Sequence, residues 1–327
     1  MSKGHRRLVA VLLAVTVVVA ACGDDGGGGS DDAGDGGSGD STTIRVPEDH
    51  DTIQGAVDAA EPGSLILVGP GTYEEEVNVT TDDLVIRGLD RNEVVLDGGN
   101  ELENGIRVLE ADGVAVENMT AQNYTGNGFF WTGVQGYRGS YLTAIRNGDY
   151  GVYAFGSQHG TFEHSYASGS PDAGFYIGQC YPCDAVINDV VAEFNGLGYS
   201  GTNSGGDLFI VNSTFRLNKA GIVPNTGSYE GCAPERETTV VGNLIHDNDE
   251  FEIDGIPAAI LATGNGILVT GGIDNVIERN RVLNHPISGI AIVPFPEDDA
   301  ITDVIAPEDA STDCVEDAQP ASPDEVP

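Results

Sequence analysis

Two aspartates, Asp184 and Asp207, stand one sequence period apart, and paired carboxylates can hold a cation such as Ca2+ or share acid–base work. Gln158, His159 and Arg138 add hydrogen-bonding and basic groups nearby in the chain. Phe130, Tyr153 and Tyr176 recur every 23 residues, and such rings can pack on the apolar faces of sugars. Cys180-Tyr-Pro-Cys183 has the spacing of a redox, metal or disulfide pair. Zinc wants four ligands, and Cys232 and Cys314 lack metal spacing. A thioredoxin-like role needs a helix start within a βαβ unit, which the pattern around Cys180 does not provide.

The chemistry depends on what positions these residues, and that is a repeat. Glycine followed by apolar or aromatic residues starts at Gly105, Gly128, Gly151, Gly174, Gly198, Gly221, Gly266 and Gly289. The intervals are 23, 23, 23, 24, 23, 45 and 23 residues. The long interval predicts one coil with an insertion within 249–265. Alternation rather than helical periodicity predicts two or three short strands per unit. A unit of that size cannot bury its own apolar face, so the units must stack. Equal positions in neighbouring coils then lie about 4.8 Å apart.

This register organises the candidates. Ile106/Val108, Phe129/Trp131, Phe175/Ile177, Ile267/Val269 and Ile290/Ile292 should face inward. Arg107, Phe130, Tyr153, Tyr176, Ser200, Val223, Leu268 and Ala291 should face outward. The outward aromatics form either a glycan platform or a stack covered by a loop such as the insertion. Gly160, Asp184, Asp207 and Asn275 are expected to share a turn, which is an alternative explanation for both aspartates. Two polar rows, Asn118/Ser165/Asp189/Asn212/Asn243/Asn280 and Asn123/Asn147/Ser170/Asn195/Asn218/Asn248/Asn284, are expected to form hydrogen-bonded ladders. Cys183 and Cys232 lie two coils apart, beyond the usual disulfide reach of about 7 Å. A Cys180–Cys183 staple at a coil corner, with Cys232 paired to Cys314, is the simplest arrangement.

Charge and the N-terminus bound the setting. Fourteen Lys and Arg stand against 52 Asp and Glu, a net charge of −38, which argues against a nucleic-acid partner. Residues 1–21 read as a signal peptide: Lys3, Arg6 and Arg7, then an apolar run ending in Val19-Ala20-Ala21-Cys22. The segment resembles a bacterial lipoprotein signal, which implies a lipid on Cys22 and a membrane anchor. Residues 22–42 read as a Gly/Asp/Ser-rich tether, 43–294 as the repeat domain and 295–327 as an acidic, Pro-rich tail. "DTIQGAVDAA" (51–60) predicts a short amphipathic helix that covers the open end of the stack.

"TIQGAVDAAEPGSLILVGPGTYEEEV" resembles the N-terminal stretch of pectin-lyase-like right-handed parallel β-helix proteins, and the later coils resemble their repeats. The resemblance implies an all-β, single-stranded, right-handed parallel β-helix with an N-terminal capping helix. It does not carry an activity, because this fold hosts lyases, hydrolases, esterases, epimerases and non-catalytic members. The hydrolase signatures Asn-Thr-Asp and Gly-His-Gly are absent from the coils, and His159-Gly160 follows Gln158. The expected function is a monomeric, extracytoplasmic lipoprotein that binds polysaccharide or cell-wall glycan without catalysis. A lyase or hydrolase with a divergent site at Asp184 and Asp207 is the alternative. A periplasmic accessory protein for metalloenzyme maturation is a third reading.

Overall fold

The computed structural model describes residues 42–227, 231–250 and 252–294. The expectations for 1–41 and for 295–327, Cys22 and Cys314 included, fall outside these residues. Among the described residues the chain winds into three parallel sheets. Sheet 1 has ten strands, from Thr43–Val46 to Val276–Glu278. Sheet 2 has nine, from Gly71–Tyr73 to Arg281–Leu283, and sheet 3 has nine, from Val77–Val79 to Ser288–Val293. A regular coil visits sheet 3, sheet 1 and sheet 2 in turn, as in Phe129–Thr132, Arg138–Ser140 and Thr143–Ile145.

The 23-residue period sets the pairing. Ile106, Phe129, Val152, Phe175, Tyr199, Ile222, Ile267 and Ile290 stand in one inward row of sheet 3. All but Ile290 are buried. Helix α1 (Ile53–Ala59) closes the N-terminal end, as the amphipathic pattern predicted. Thr52 caps it by accepting from the Gly55 amide, and Ile53, Ala56 and Val57 are buried against the first strands. The insertion contains helix α2 (Pro257–Ala262), which lays Ala259 and Ala262 on Val223 and Leu268 of the outward face of sheet 3.

The corners follow one rule, and it shifts the expected rows by one residue. Each of three corner positions carries a left-handed residue. One row is Asn118, Tyr141, His164, Asp189, Asn212, Gly242 and Arg279. A second is Asn123, Arg146, Gly169, Phe194, Leu217, Asp247 and Asn284. The third is Gly136, His159, Asp184, Asp207, Glu237 and Asp274. The residue after each corner turns inward. Gly160 and Asn275 therefore follow the corner that Asp184 and Asp207 occupy.

The inward residues form the ladders. Asn195 donates from its amide and Nδ2 to Asn218 Oδ1 at 3.0 Å, and Asn218 does the same to Asn248. Ser213 donates from its amide to Asn243, and Asn243 from its amide and Nδ2 to Asn280. Asn118, Asp189, Asn212, Asn123 and Asn284, expected in the ladders, instead make the left-handed turns. Asn suits both jobs, because its short amide tolerates the left-handed region and also bonds backbone.

Near the insertion, buried Glu235 accepts from Asn275 Nδ2 at 2.7 Å, and Asn275 Oδ1 accepts the Thr238 amide. Burial pushes the Glu235 carboxyl up to about 7. The folded state thus holds a proton that the unfolded chain releases near pH 4.5. This group's stabilisation is complete below that pH and is lost as pH rises to about 7, a change of about 3 kcal/mol. Glu235→Gln should therefore unfold at higher urea than wild type at pH 8, and the advantage should vanish at pH 4. Separately, Asn218→Ala strips the Asn195 amide of its acceptor and should lower stability by about 1–3 kcal/mol in urea melts.

Candidate functional site

The outward row of sheet 3 runs Asn78, Arg107, Phe130, Tyr153, Tyr176, Ser200 and Val223, as alternation predicted. The rings do stack: Tyr153 and Tyr176 lie 4.7 Å apart and nearly parallel, and Phe130 is 4.9 Å from Tyr153. They are not an open platform. Phe130 is 6%, Tyr153 4% and Tyr176 1% exposed, packed with Leu109, Tyr150 and Phe155. Tyr176 lies along its own strand, and a Cβ at Gly178 would come within 2.1 Å of its hydroxyl oxygen. The repeat "GFYIG" therefore needs its second glycine to seat the ring.

The other expected site residues lie on the far edge of sheet 3 or beyond it. His159 Nδ1 and Asp184 Oδ2 are 2.6 Å apart, and both side chains are exposed. Asp207 occupies the same corner one coil later. Gln158 donates to the Pro182 carbonyl and accepts from Gln135. Arg138 does not join the aromatic row. It sits on sheet 1 in an ion ladder with Glu117 and Glu163, at 2.5 and 2.6 Å, while Arg87 pairs with Glu117 from the other side. Among the described residues no group of three His, Cys, Asp or Glu gathers to hold a metal ion.

Cys180 and Cys183 form a disulfide, and both are buried. The corner between sheets 3 and 1 runs from left-handed Gln179 to left-handed Asp184, against Gly156 to His159 one coil earlier. It is two residues longer, and the staple closes the extra length. Cys232 is also disulfide-bonded, and its partner lies outside the described residues.

The leading edge of sheet 3 holds a cluster absent from the sequence-derived candidates. Asp149 and Asp172 occupy the same position in adjacent coils, joined by the Asp172 amide donating to the Asp149 carbonyl. In the next row stand Asn104, Asn127 and Tyr150. The Tyr150 hydroxyl hydrogen-bonds Asp172, and its ring packs 4.6 Å from Tyr153 and 5.0 Å from Tyr176. Burial, then the charge of Asp149, pushes Asp172 up to about 7. Burial, then Glu103, pushes Asp149 up to about 6. Two carboxyls held at such values beside a half-buried tyrosine suit hydroxyl recognition or proton transfer.

A polar recess continues the edge toward the N-terminus, lined by Glu76, Val77, Asn78, Glu103, Asn104 and Arg107. Asn127 donates to Asn104 Oδ1 at 2.9 Å, and its own buried Oδ1 has no partner among the described residues. The sequence did carry a signal for the acid pair: "DYG" and "DAG" place Asp149 and Asp172 two residues before consecutive repeat glycines.

The buried row predicts a structural phenotype. Tyr176→Ala should destabilise the protein by about 3–5 kcal/mol in chemical denaturation, as for other large buried rings. Asp184→Asn and Asp207→Asn, at exposed corners, should each stay within about 1 kcal/mol of wild type.

Comparison with known proteins follows this geometry. The model of the right-handed β-helix region matches residues 92–230. No curated protein sequence matches the chain. Among solved structures it is similar to the A-module of mannuronan C-5 epimerase AlgE4 from Azotobacter vinelandii, at 16% identity and a TM-score of 0.48, covering 74% of this chain and 89% of that one. It is similar to an alginate lyase from Paenibacillus sp. str. FPU-7, at 14% identity and a TM-score of 0.49, covering 78% and 98%. It is also similar to pectate lyase Pel9A, at 17% identity and a TM-score of 0.48, covering 69% and 64%. With three parallel sheets stacked coil on coil and a matching β-helix region, the chain is a pectin-lyase-like right-handed parallel β-helix.

Proposed function

We propose that this β-helix is anchored outside the cell by a lipid on Cys22 and binds a neutral polysaccharide or cell-wall glycan at the leading edge of sheet 3. The observation that carries the reading is Tyr150, half-buried, with its hydroxyl on Asp172 and its ring on the buried tyrosines. A rigid ring beside carboxyl and amide groups offers a sugar both an apolar face and hydroxyl partners. Asp149, Asp172, Asn104 and Asn127 are the polar set, and the recess at Glu76 and Arg107 extends the track. The charge of −38, with Glu76, Glu103, Asp149 and Asp172 along the edge, repels polyuronates and selects neutral sugars.

A hydrolytic reading has one observation in its favour. Asp172, held near 7, keeps its proton at neutral pH and suits a general acid toward a glycosidic oxygen.

Titration calorimetry against neutral and uronic oligosaccharides tests both readings. Wild type should bind a neutral glycan, and Tyr150→Ala should weaken binding about tenfold or more. The binding reading is lost if wild type binds nothing in the panel or if Tyr150→Ala binds equally well. Affinity should change between pH 5 and 8 as Asp149 and Asp172 ionise, and Asp172→Asn should flatten that profile. Release of reducing ends by wild type and none by Asp172→Asn would establish hydrolysis; equal release by both would exclude Asp172 as its acid.

A further inference from the structure

The two ends of the solenoid are treated differently. At the N-terminal end α1 buries Ile53, Ala56 and Val57 over the first strands. At the other end the core row simply stops. Ile267 and Val269 are buried, yet their partners Ile290 and Ile292 in the last strand are 50% and 72% exposed. On sheets 1 and 2, Val240 and Ile245 are fully buried, while Ile277 and Val282, stacked on them, are partly open. Val276–Glu278, Arg281–Leu283 and Ser288–Val293 end their sheets among the described residues, so three strand edges face outward together. An uncovered apolar end with three open edges invites association.

We infer that the C-terminal segment of this same chain, residues 295–327, folds back as the cap of this end. Three observations choose it over a second copy. It begins directly after Pro294, at the open end itself, and carries Phe295, Ile301, Val304 and Ile305 within its first eleven residues. Those residues span up to about 36 Å when extended, ample to cross the end of a coil. The segment has eleven acids and no Lys or Arg. The last coil presents exposed Arg279 and Arg281, whereas a second copy would bring arginine against arginine.

The third observation is Cys232. It is disulfide-bonded, and Cys180 and Cys183 bond each other, which leaves Cys22 and Cys314 as its possible partners. Cys314 lies within the proposed cap, and its bond to Cys232 ties the cap to the side of the solenoid. The cap is independent of the glycan site, which lies on the leading edge of sheet 3 around Tyr150.

Hydrogen exchange and sedimentation on the full chain test the inference. Amides of Arg281–Leu283 and Ser288–Val293 should be protected at all protein concentrations in a monomer. Ile301→Asp/Val304→Asp/Ile305→Asp should lose that protection at least tenfold, keep it in the coils before Gly221, and self-associate. A chain ending at Pro294 should behave like the triple variant. Peptide mapping without reductant should recover a Cys232–Cys314 linkage. Unchanged protection in both variants, protection that depends on dimerisation, or a free Cys314 thiol would each overturn the cap as drawn.

Discussion

Everything in this fold rests on the corner. A coil of 23 residues closes only if its backbone reverses at fixed points, and each reversal uses a left-handed residue. The reversal throws the next side chain inward, where its backbone partners are other corners. Asn and Ser at that place satisfy buried amides of the coil before them, as Asn195, Asn218 and Asn248 do in sequence. A buried amide left alone costs about 1–3 kcal/mol, so the ladder permits corners to be buried at all. Strand register is a consequence of it: once corners align, Phe129, Val152 and Phe175 stack without further instruction.

The same constraint assigns work to residues that look chemical. His159, Asp184 and Asp207 share one corner row, and the left-handed turn accounts for their types. The Cys180–Cys183 bond belongs there too, as the closure of a corner two residues longer than the one before it. Positions free of corner duty are those on strands and at strand entries. There, a residue type repeated in two coils has no backbone explanation, and Asp149 with Asp172 is such a case.

The repeat glycines and the alternating apolar residues made the solenoid, the inward rows, the insertion and the capping helix legible in the sequence. The ladder rows came out one residue displaced at several corners, because Asn at 118, 123, 212 and 284 satisfies a left-handed turn as well as it would a ladder. Alternation told which way Phe130, Tyr153 and Tyr176 face, but not what lies over them. Facing is a property of one strand, whereas cover depends on Tyr150, Phe155 and Leu109 from other positions and coils. The acid pair escaped because attention to spacing fell on the corner aspartates, although both pairs repeat one coil apart.

Stacking also dictates how charge must be handled. Any residue repeated at one position sits about 4.8 Å from its twin, so a row of acids repels itself unless something intervenes. Sheet 1 solves this by alternation: Arg87, Glu117, Arg138 and Glu163 interleave, and each carboxylate has a guanidinium within hydrogen-bonding distance. The Asp149 row contains no such neighbour between the two acids. Gly126 precedes them, Gly196 follows, and Lys219, the next cation along, donates to the Glu250 carbonyl. The pair is relieved by protonation instead, which is why Asp172 rises to about 7. A fold that neutralises one row with arginine and leaves another to hold protons has kept the second row available for chemistry or recognition, and the Tyr150 hydroxyl on Asp172 shows the form a sugar hydroxyl would copy.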